Sequence, residues 1–200
     1  MKKSFVVLIG VFGFIILVAI ILFLSSIRFK NNMVTYDEDI SKAWSQVESQ
    51  YQRRSDLIPN LVNTVKGYAD FEKSTLTAVI EARAKATSVN ISADNLNEQS
   101  MAQFQQAQNG LSSALSKLLV VVEKYPDLKA NQNFLELQAQ LEGTENRIAN
   151  ERMKFNETTR TYNVYTRRFP ARVFASIYGF EQKPYFKATE GAEKAPEVKF

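Results

Sequence analysis

The chain has 200 residues, including 25 Lys and Arg, 21 Asp and Glu, and neither His nor Cys. This composition excludes disulfides, thiol nucleophiles, zinc sites built on Cys or His, and catalytic triads that use His. Four basic and no acidic residues lie in residues 1–30, so the rest of the chain holds 21 of each sign. A neutral remainder has no general attraction for a polyanion, which argues against a nucleic-acid-binding protein.

An apolar segment opens the chain. Residues 5–24 contain no charged residue and no proline, and as a helix they would extend for about 30 Å, the thickness of the hydrocarbon core of a bilayer. A signal peptide has a shorter apolar core that ends at a small-residue cleavage site. We therefore predict a single-pass anchor over residues 5–27, after a flank at residues 1–4, with the lipid bilayer as its partner. Six large apolar residues represent this anchor: Phe5, Phe12, Phe14, Leu17, Ile21 and Leu24.

After the anchor, apolar residues recur every three or four positions, which is the pattern of helices that bury one face. Pro, Gly and polar runs divide this pattern into helices at residues 33–68, 71–87, 99–125 and 131–169, with a short helix at 171–178. The longest would extend for about 50 Å, so the helices must pack lengthwise. We therefore predict an all-α protein in which one transmembrane helix precedes an elongated antiparallel bundle, similar to a four-helix bundle, over residues 31–179.

The last part of the chain, residues 180–200, contains Pro and Gly and is predicted to be a non-helical tail. It also holds several aromatic residues, which disordered tails seldom keep. We therefore expect residues 180–186 to pack on the bundle.

Pro59 lies within the apolar pattern of the first helix of the bundle. Proline lacks an amide hydrogen and clashes with the preceding turn, so we expect a kink or a break near Leu57. Asn60 and Asn63 flank this position. A defined pocket beside these residues would favour a sensor, in which the kinked helix is continuous with the membrane helix and transmits a signal to it.

Arg54 and Glu151 each occupy a slot in an otherwise apolar pattern, in the first and the last long helix. We expect them to form a buried ion pair, which specifies the arrangement of the helices more than it stabilises it. On this interpretation Glu151→Gln destabilises the fold strongly and chelators have no effect. The neighbouring Arg53 is interpreted as a solvated residue with local ion pairs, with a lipid phosphate or a partner as the alternative.

Four arginines form a basic cluster at the end of the last long helix and the start of the short helix: Arg160, Arg167, Arg168 and Arg172. They are interpreted as cations that complement the helix dipole, with an anionic headgroup or a protein contact as the alternative. Asn156 and Asn163 lie in the same helix, although Asn is a poor helix former. These asparagines indicate hydrogen bonds between helices or a polar face for a partner.

Catalytic motifs are missing from the sequence, which has neither a phosphate-binding glycine loop nor a nucleophile elbow. A metal site built on carboxylates alone would need several acidic residues that converge on the core, and Glu151 is the one acidic residue on a predicted apolar stripe. We therefore expect no enzymatic activity, no metal and no cofactor. A carboxylate-metal enzyme is the least favoured alternative.

Several ungapped words of this sequence resemble the signature of the LemA family. They lie in residues 43–47, 51–62 and 118–149, and in the pairs Phe155-Asn156, Tyr162-Asn163, Phe169-Pro170 and Gly179-Phe180. The sequence departs from the family at residues 31–34, where the family usually has a Tyr-Asn pair before Leu-Val.

The resemblance implies a bacterial protein of the cytoplasmic membrane with one N-terminal helix and a helical bundle. Family descriptions put the short N-terminus outside and the bundle inside, whereas basic residues flank both ends of the anchor and leave the orientation open. No enzymatic activity is established for the family. Its members often occur with membrane quality-control proteases and other envelope proteins.

These observations favour a non-enzymatic interaction or scaffold module whose partners are other membrane or envelope proteins. Such a scaffold predicts an exposed apolar or charged face without a cavity. The sensor described above is the main alternative, and it predicts a pocket near Pro59.

Overall fold

The computed structural model describes residues 2–68 and 72–187, which form helices and contain no strand. The helices are α1 (Lys2–Lys66), α2 (Lys73–Ser88), α3 (Glu98–Val122), α4 (Pro126–Lys129), α5 (Gln132–Arg167) and α6 (Ala171–Tyr178), with one 3₁₀ turn at Ala93–Asn95. This confirms the predicted all-α fold, in which a long apolar N-terminal helix is followed by further helices that pack as a bundle.

The apolar stretch of α1 projects from the bundle, and by length and composition it is a candidate membrane span. Its side chains are exposed, and they include five of the residues predicted for the anchor: Phe12, Phe14, Leu17, Ile21 and Leu24. The sixth, Phe5, lies outside the residues whose side chains the structure describes. α1 continues without interruption from this stretch into the bundle, so the two parts belong to one helix.

Four long helices form the bundle. α1 packs along α5, α2 packs along α3, and α6 folds back against both α1 and α5. α1 and α5 run antiparallel in a register that sets Trp44 against Phe155. The same register sets Arg54, ten residues later in α1, against Glu145, ten residues earlier in α5. We use "lower" for the end of the bundle beside the apolar stretch of α1, and "upper" for the opposite end.

Three apolar clusters form the interior. The upper core includes Ile58, Leu61, Val65, Leu76, Val79, Leu111, Leu118 and Phe134. The middle core includes Trp44, Val47, Tyr51, Phe104, Ile148, Phe155, Tyr162 and Phe186. The lower core consists of Met33, Ala171 and Ala175, with Phe29, Tyr165, Phe174 and Phe180 packed against it.

Pro59 lies inside α1 and does not break it, so of the kink or break expected near Leu57 the break does not occur. The missing amide of Pro59 leaves the carbonyl of Ser55, four residues earlier, without its helical donor. Arg83 of α2 donates its Nε–H to that carbonyl at 2.9 Å. The helix continues because a neighbouring helix supplies the hydrogen bond that proline removes.

The end of α5 also differs from the prediction. α5 ends at Arg167, and Phe169, which closes the predicted helix at 131–169, lies in the turn that follows with 86% of its surface exposed. α6 then begins at Ala171 and is ended by Gly179, whose φ of 75° is the left-handed conformation that terminates many helices. The chain therefore turns back across the lower end of the bundle and enters the tail.

Candidate functional site

Arg54 lies in a polar layer between the upper and middle cores, with its side chain 2% exposed. Its Nη1 donates to Glu145 Oε2 and to Ser112 Oγ, each at 2.8 Å, and its Nη2 donates to Gln108 Oε1 at 2.7 Å. Gln108 in turn donates from Nε2 to the carbonyl of Ala86 at 3.3 Å. This one guanidinium therefore connects all four long helices of the bundle.

The predicted pair between Arg54 and Glu151 is wrong. Glu151 lies six residues beyond Glu145, which corresponds to about 9 Å along the axis of α5. It pairs instead with Lys154 on its own helix, at 2.7 Å between Oε1 and Nζ. The antiparallel register of α1 and α5 selects Glu145 as the partner of Arg54.

The partners of Arg54 were missed from the sequence. Gln108 is a polar residue on an otherwise apolar face of α3, and this was the available signal. Glu145 and Ser112 lie at the edges of their helix faces, are half-buried or exposed, and show no such signal.

A cleft of about 200 Å³ opens beside Arg54 between α3 and α5. The pair of Arg54 and Glu145 closes its lower end. Its lining surface is mostly apolar because it includes Leu61, Leu115, Leu119 and Leu141, and four polar residues also contribute: Ser112, Ser116, Gln138 and Glu142. The cleft is therefore an apolar groove with a charged group at one end.

Below this cleft, the same two helices hold the tail of the chain. Asn163 donates from Nδ2 to the carbonyl of Lys183 at 2.9 Å and accepts the Lys183 amide at Oδ1 at 2.9 Å. Asn156 holds Phe186 in the same way, at 3.0 and 2.8 Å. The sequence predicts hydrogen bonds between helices or a polar face for a partner at these asparagines, whereas both bind the main chain of the chain's own tail. Each side-chain amide satisfies one main-chain donor and one main-chain acceptor.

Three further side chains hydrogen-bond to the main chain of the tail. The Tyr162 hydroxyl donates to the carbonyl of Glu181 at 2.8 Å. At the other end of the segment, Arg152 donates to the carbonyl of Lys187 at 2.9 Å, and Gln105 of α3 accepts the Lys187 amide at 3.2 Å. We call the five side chains that bind the tail main chain the tail-binding groove: Gln105, Arg152, Asn156, Tyr162 and Asn163.

Two side chains of the tail anchor it. Phe186 is buried in the middle core, where its ring stacks on Trp44 at 5.9 Å and meets Phe155 edge-on at 5.3 Å. The ammonium of Lys183 pairs with Asp37 of α1 at 2.9 Å. The packing expected for residues 180–186 is present, because Pro184 and Phe186 are buried and Phe180 packs on the middle and lower cores, whereas Tyr185 is exposed.

Two tyrosines of this region have a raised pKa. Burial raises the pKa of Tyr162 well above its usual range, and the negative charges of Asp37 and Glu181 add to this effect. Burial also raises the pKa of Tyr51, although the charges of Arg152 and Arg54 oppose it. Both hydroxyls are therefore neutral at physiological pH and serve as packing and hydrogen-bonding groups.

The residues around Pro59 lie on the surface. Arg53, Asn60 and Asn63 are exposed. A shallow concavity that includes Asn60 is lined by residues of α1. Arg160, Arg167 and Arg168 are also exposed, in the lower part of the bundle.

Among the described residues, no group of three or more Asp or Glu side chains converges in a way that would hold a metal ion. The charged groups of the interior are engaged in structure: Arg54 binds the helices together, and the tail-binding groove holds the main chain of the tail. This arrangement binds the main chain of the chain's own tail.

Comparison with known proteins gives one family and a small set of relatives. The model of the LemA family matches residues 43–200. The magnetosome protein MamQ of Magnetospirillum gryphiswaldense is 29% identical over 173 residues, which cover 78% of this chain and 64% of that protein. Magnetosome protein MamQ 2 of Paramagnetospirillum magneticum is 28% identical over 174 residues, with the same coverage.

Protein LemA of Metamycoplasma hominis is 24% identical over 145 residues, which cover 72% of this chain and 59% of that protein. The chain therefore spans about 64% of the length of the MamQ relatives that it matches.

Proposed function

The chain belongs to the LemA family, and from this premise we propose that it is a membrane-tethered, non-enzymatic module that receives extended segments of other membrane or envelope proteins between α3 and α5. The observation that carries this proposal is the tail-binding groove. It already holds an extended segment of polypeptide by the main chain.

Recognition of the main chain is independent of sequence, so it suits a module with several partners. Proteins that bind extended peptides obtain affinity from main-chain hydrogen bonds and specificity from pockets for individual side chains. Asn156 and Asn163 supply the first element, with two hydrogen bonds each. The aromatic site formed by Trp44 and Phe155, which Phe186 enters, supplies the second.

The apolar cleft above the groove continues this surface along the same two helices. The tail runs antiparallel to α5, so its contacts proceed from Tyr162 at Glu181 to Arg152 at Lys187, in the direction of the cleft. Leucine walls with a guanidinium at one end fit an extended segment that presents apolar side chains. We therefore infer that a partner segment occupies the tail-binding groove in place of the tail and extends from it into the cleft.

A photo-crosslinking amino acid at Leu119 tests this proposal in cells that express the full chain. Leu119 lines the cleft, whereas the adjacent Val120 points outward with 69% of its surface exposed and serves as the matched control. We expect crosslinks from position 119 and not from position 120, with mass spectrometry mapping them to segments of identified membrane or envelope proteins. Crosslinks that map only to residues 188–200 of this chain would contradict the proposal, because the cleft would then serve its own tail.

A further inference from the structure

The outer surface of α6 is the one large exposed apolar face that the described part of the bundle combines with a basic cluster. Two apolar side chains lie on it, Ile177 at 68% exposed and Val173 at 49% exposed, and Phe169 in the preceding turn extends this surface with 86% of its own surface exposed. Val173 and Ile177 are four residues apart and therefore share one face of the helix. The opposite face packs inward through Ala171 and Ala175.

Contacts with α1 fix the position of this face along the axis of α1. The Tyr178 hydroxyl hydrogen-bonds Ser26 Oγ, and the Lys30 ammonium lies 5.3 Å from the centre of the Tyr178 ring. Phe174 stacks on Phe29 of α1 with 5.1 Å between ring centres. Ser26 follows the apolar stretch by two residues, so α6 lies at the level where that stretch ends. In a bilayer spanned by α1, this level is the boundary between acyl chains and headgroups.

Basic residues predominate around this face. Residues 158–180 contain four arginines and no acidic residue, and the adjoining end of the apolar stretch contributes Arg28 and Lys30. Arg167 and Arg172 line a shallow concavity together with Phe169, Val173 and Ile177. An arginine beside exposed apolar side chains matches the interfacial region of a membrane, because its planar fork binds phosphate oxygens in pairs.

We propose that Phe169 and the outer face of α6 form a second membrane contact, which lies in the interface plane and binds anionic phospholipid through Arg167, Arg168 and Arg172. The partner is a lipid surface because the face is continuous with the candidate membrane span and complementary in charge to an anionic leaflet. The other strongly exposed apolar residues of the bundle, such as Val120 and Met153, lie singly and far from the span. This contact fixes the tilt of the bundle on the membrane and does not depend on what the α3–α5 cleft binds.

The chain contains no native cysteine, so one introduced cysteine carries an environment-sensitive dye without interference. The full chain with Ile177→Cys is labelled and reconstituted into nanodiscs of phosphatidylcholine with phosphatidylglycerol. We expect blue-shifted emission and quenching by lipids that carry a quencher near the headgroup. The same dye at Val120→Cys, an equally exposed apolar position, should show the emission of a dye in water and no quenching by these lipids. Water-like emission at position 177 would overturn the proposal.

A second measurement tests the arginines. Replacing Arg167, Arg168 and Arg172 together with Gln, or omitting phosphatidylglycerol, should reduce the quenching at position 177 at least twofold. A matched variant that replaces three exposed cations elsewhere, Arg53, Lys117 and Arg147, should keep it unchanged. Equal quenching with and without phosphatidylglycerol would overturn the assignment of these arginines to anionic lipid.

Discussion

Arg54 of α1 and Glu145 of α5 form an ion pair across the bundle, at 2.8 Å between Nη1 and Oε2. The two ends of this pair differ in environment, because the guanidinium is buried whereas the Glu145 side chain is 55% exposed. The carboxylate therefore compensates a charge that the fold has removed from water.

Removing this carboxylate should destabilise the protein, whereas removing Glu151 should not. We expect Glu145→Ala to lower the free energy of unfolding by about 1–3 kcal/mol, since it leaves a buried guanidinium donor without its acceptor. Glu151→Ala removes a pair with an exposed Lys154 and should cost less than about 0.5 kcal/mol. Urea unfolding of the full chain in detergent measures both. Equal costs for the two variants would contradict the observed register.

The two tail asparagines should control the local stability of the tail. Each makes two hydrogen bonds to the main chain, and each bond contributes about 1 kcal/mol. We expect the variant Asn156→Ala with Asn163→Ala to accelerate amide hydrogen exchange at Lys183 and Phe186 at least about tenfold. The exposed Asn150 of the same helix supplies the control, and Asn150→Ala should leave these rates unchanged. Unchanged exchange in the double variant would show that other contacts alone hold the tail.

Pro59 and Arg83 should be energetically coupled through the carbonyl of Ser55. Pro59→Ala restores an amide that can bond this carbonyl, so Arg83 is then no longer its sole donor. We expect Arg83→Ala to cost about 1 kcal/mol in the natural chain and markedly less in the Pro59→Ala background. A double-mutant cycle measured by urea unfolding gives the coupling energy, and a cycle with the exposed Arg53 in place of Arg83 is the control. Additive effects of Pro59→Ala and Arg83→Ala would disprove the coupling.

Alkaline pH should destabilise the fold. The pKa of Tyr162 is raised in the folded state, so above about pH 10 the unfolded chain loses this proton while the folded chain keeps it. The unfolded state then binds fewer protons, and the free energy of unfolding falls by up to about 1.4 kcal/mol per pH unit for each such tyrosine. The stabilisation is fully present below pH 10 and is lost as the pH rises through the folded-state pKa.

Urea unfolding of the full chain between pH 8 and pH 11 measures this slope. Tyr162→Phe should reduce it, because the titrating group is gone, and Thr161→Ala on the neighbouring exposed position should not. If the natural chain and the Tyr162→Phe variant had the same slope, groups other than Tyr162 would cause the loss of stability at alkaline pH.

The helices and their buried faces followed from the sequence to a large extent. Trp44, Ile58 and Leu61 are buried as the spacing of three and four predicts, because that spacing is a property of each helix alone. The partner of Arg54 depends on the register between α1 and α5. Tertiary packing sets this register, and no pattern within one helix encodes it.

The tail-binding groove was predictable only in part. Asn156 and Asn163 were recognisable as unusual residues in a helix, but their partner is the main chain of residues 183 and 186. Main-chain atoms are the same in every residue, so the sequence of the bound segment gives no sign that it is bound in this way. The same reason hides Gln105 and Arg152, whose contacts with the tail also reach main-chain atoms.

The most direct test of the central claim asks whether the groove accepts an extended peptide from outside the chain. Trp44 is the only tryptophan and stacks on Phe186, so its fluorescence reports occupancy of the aromatic site. The full chain with Phe186→Ala in nanodiscs is titrated with a synthetic peptide of residues 180–187 and with a control peptide that has Ala in place of the residue equivalent to Phe186. We predict a saturable change in Trp44 fluorescence with the first peptide alone, lost when Asn156→Ala is added to the chain. No response to the first peptide, or an equal response to both peptides, would contradict the account.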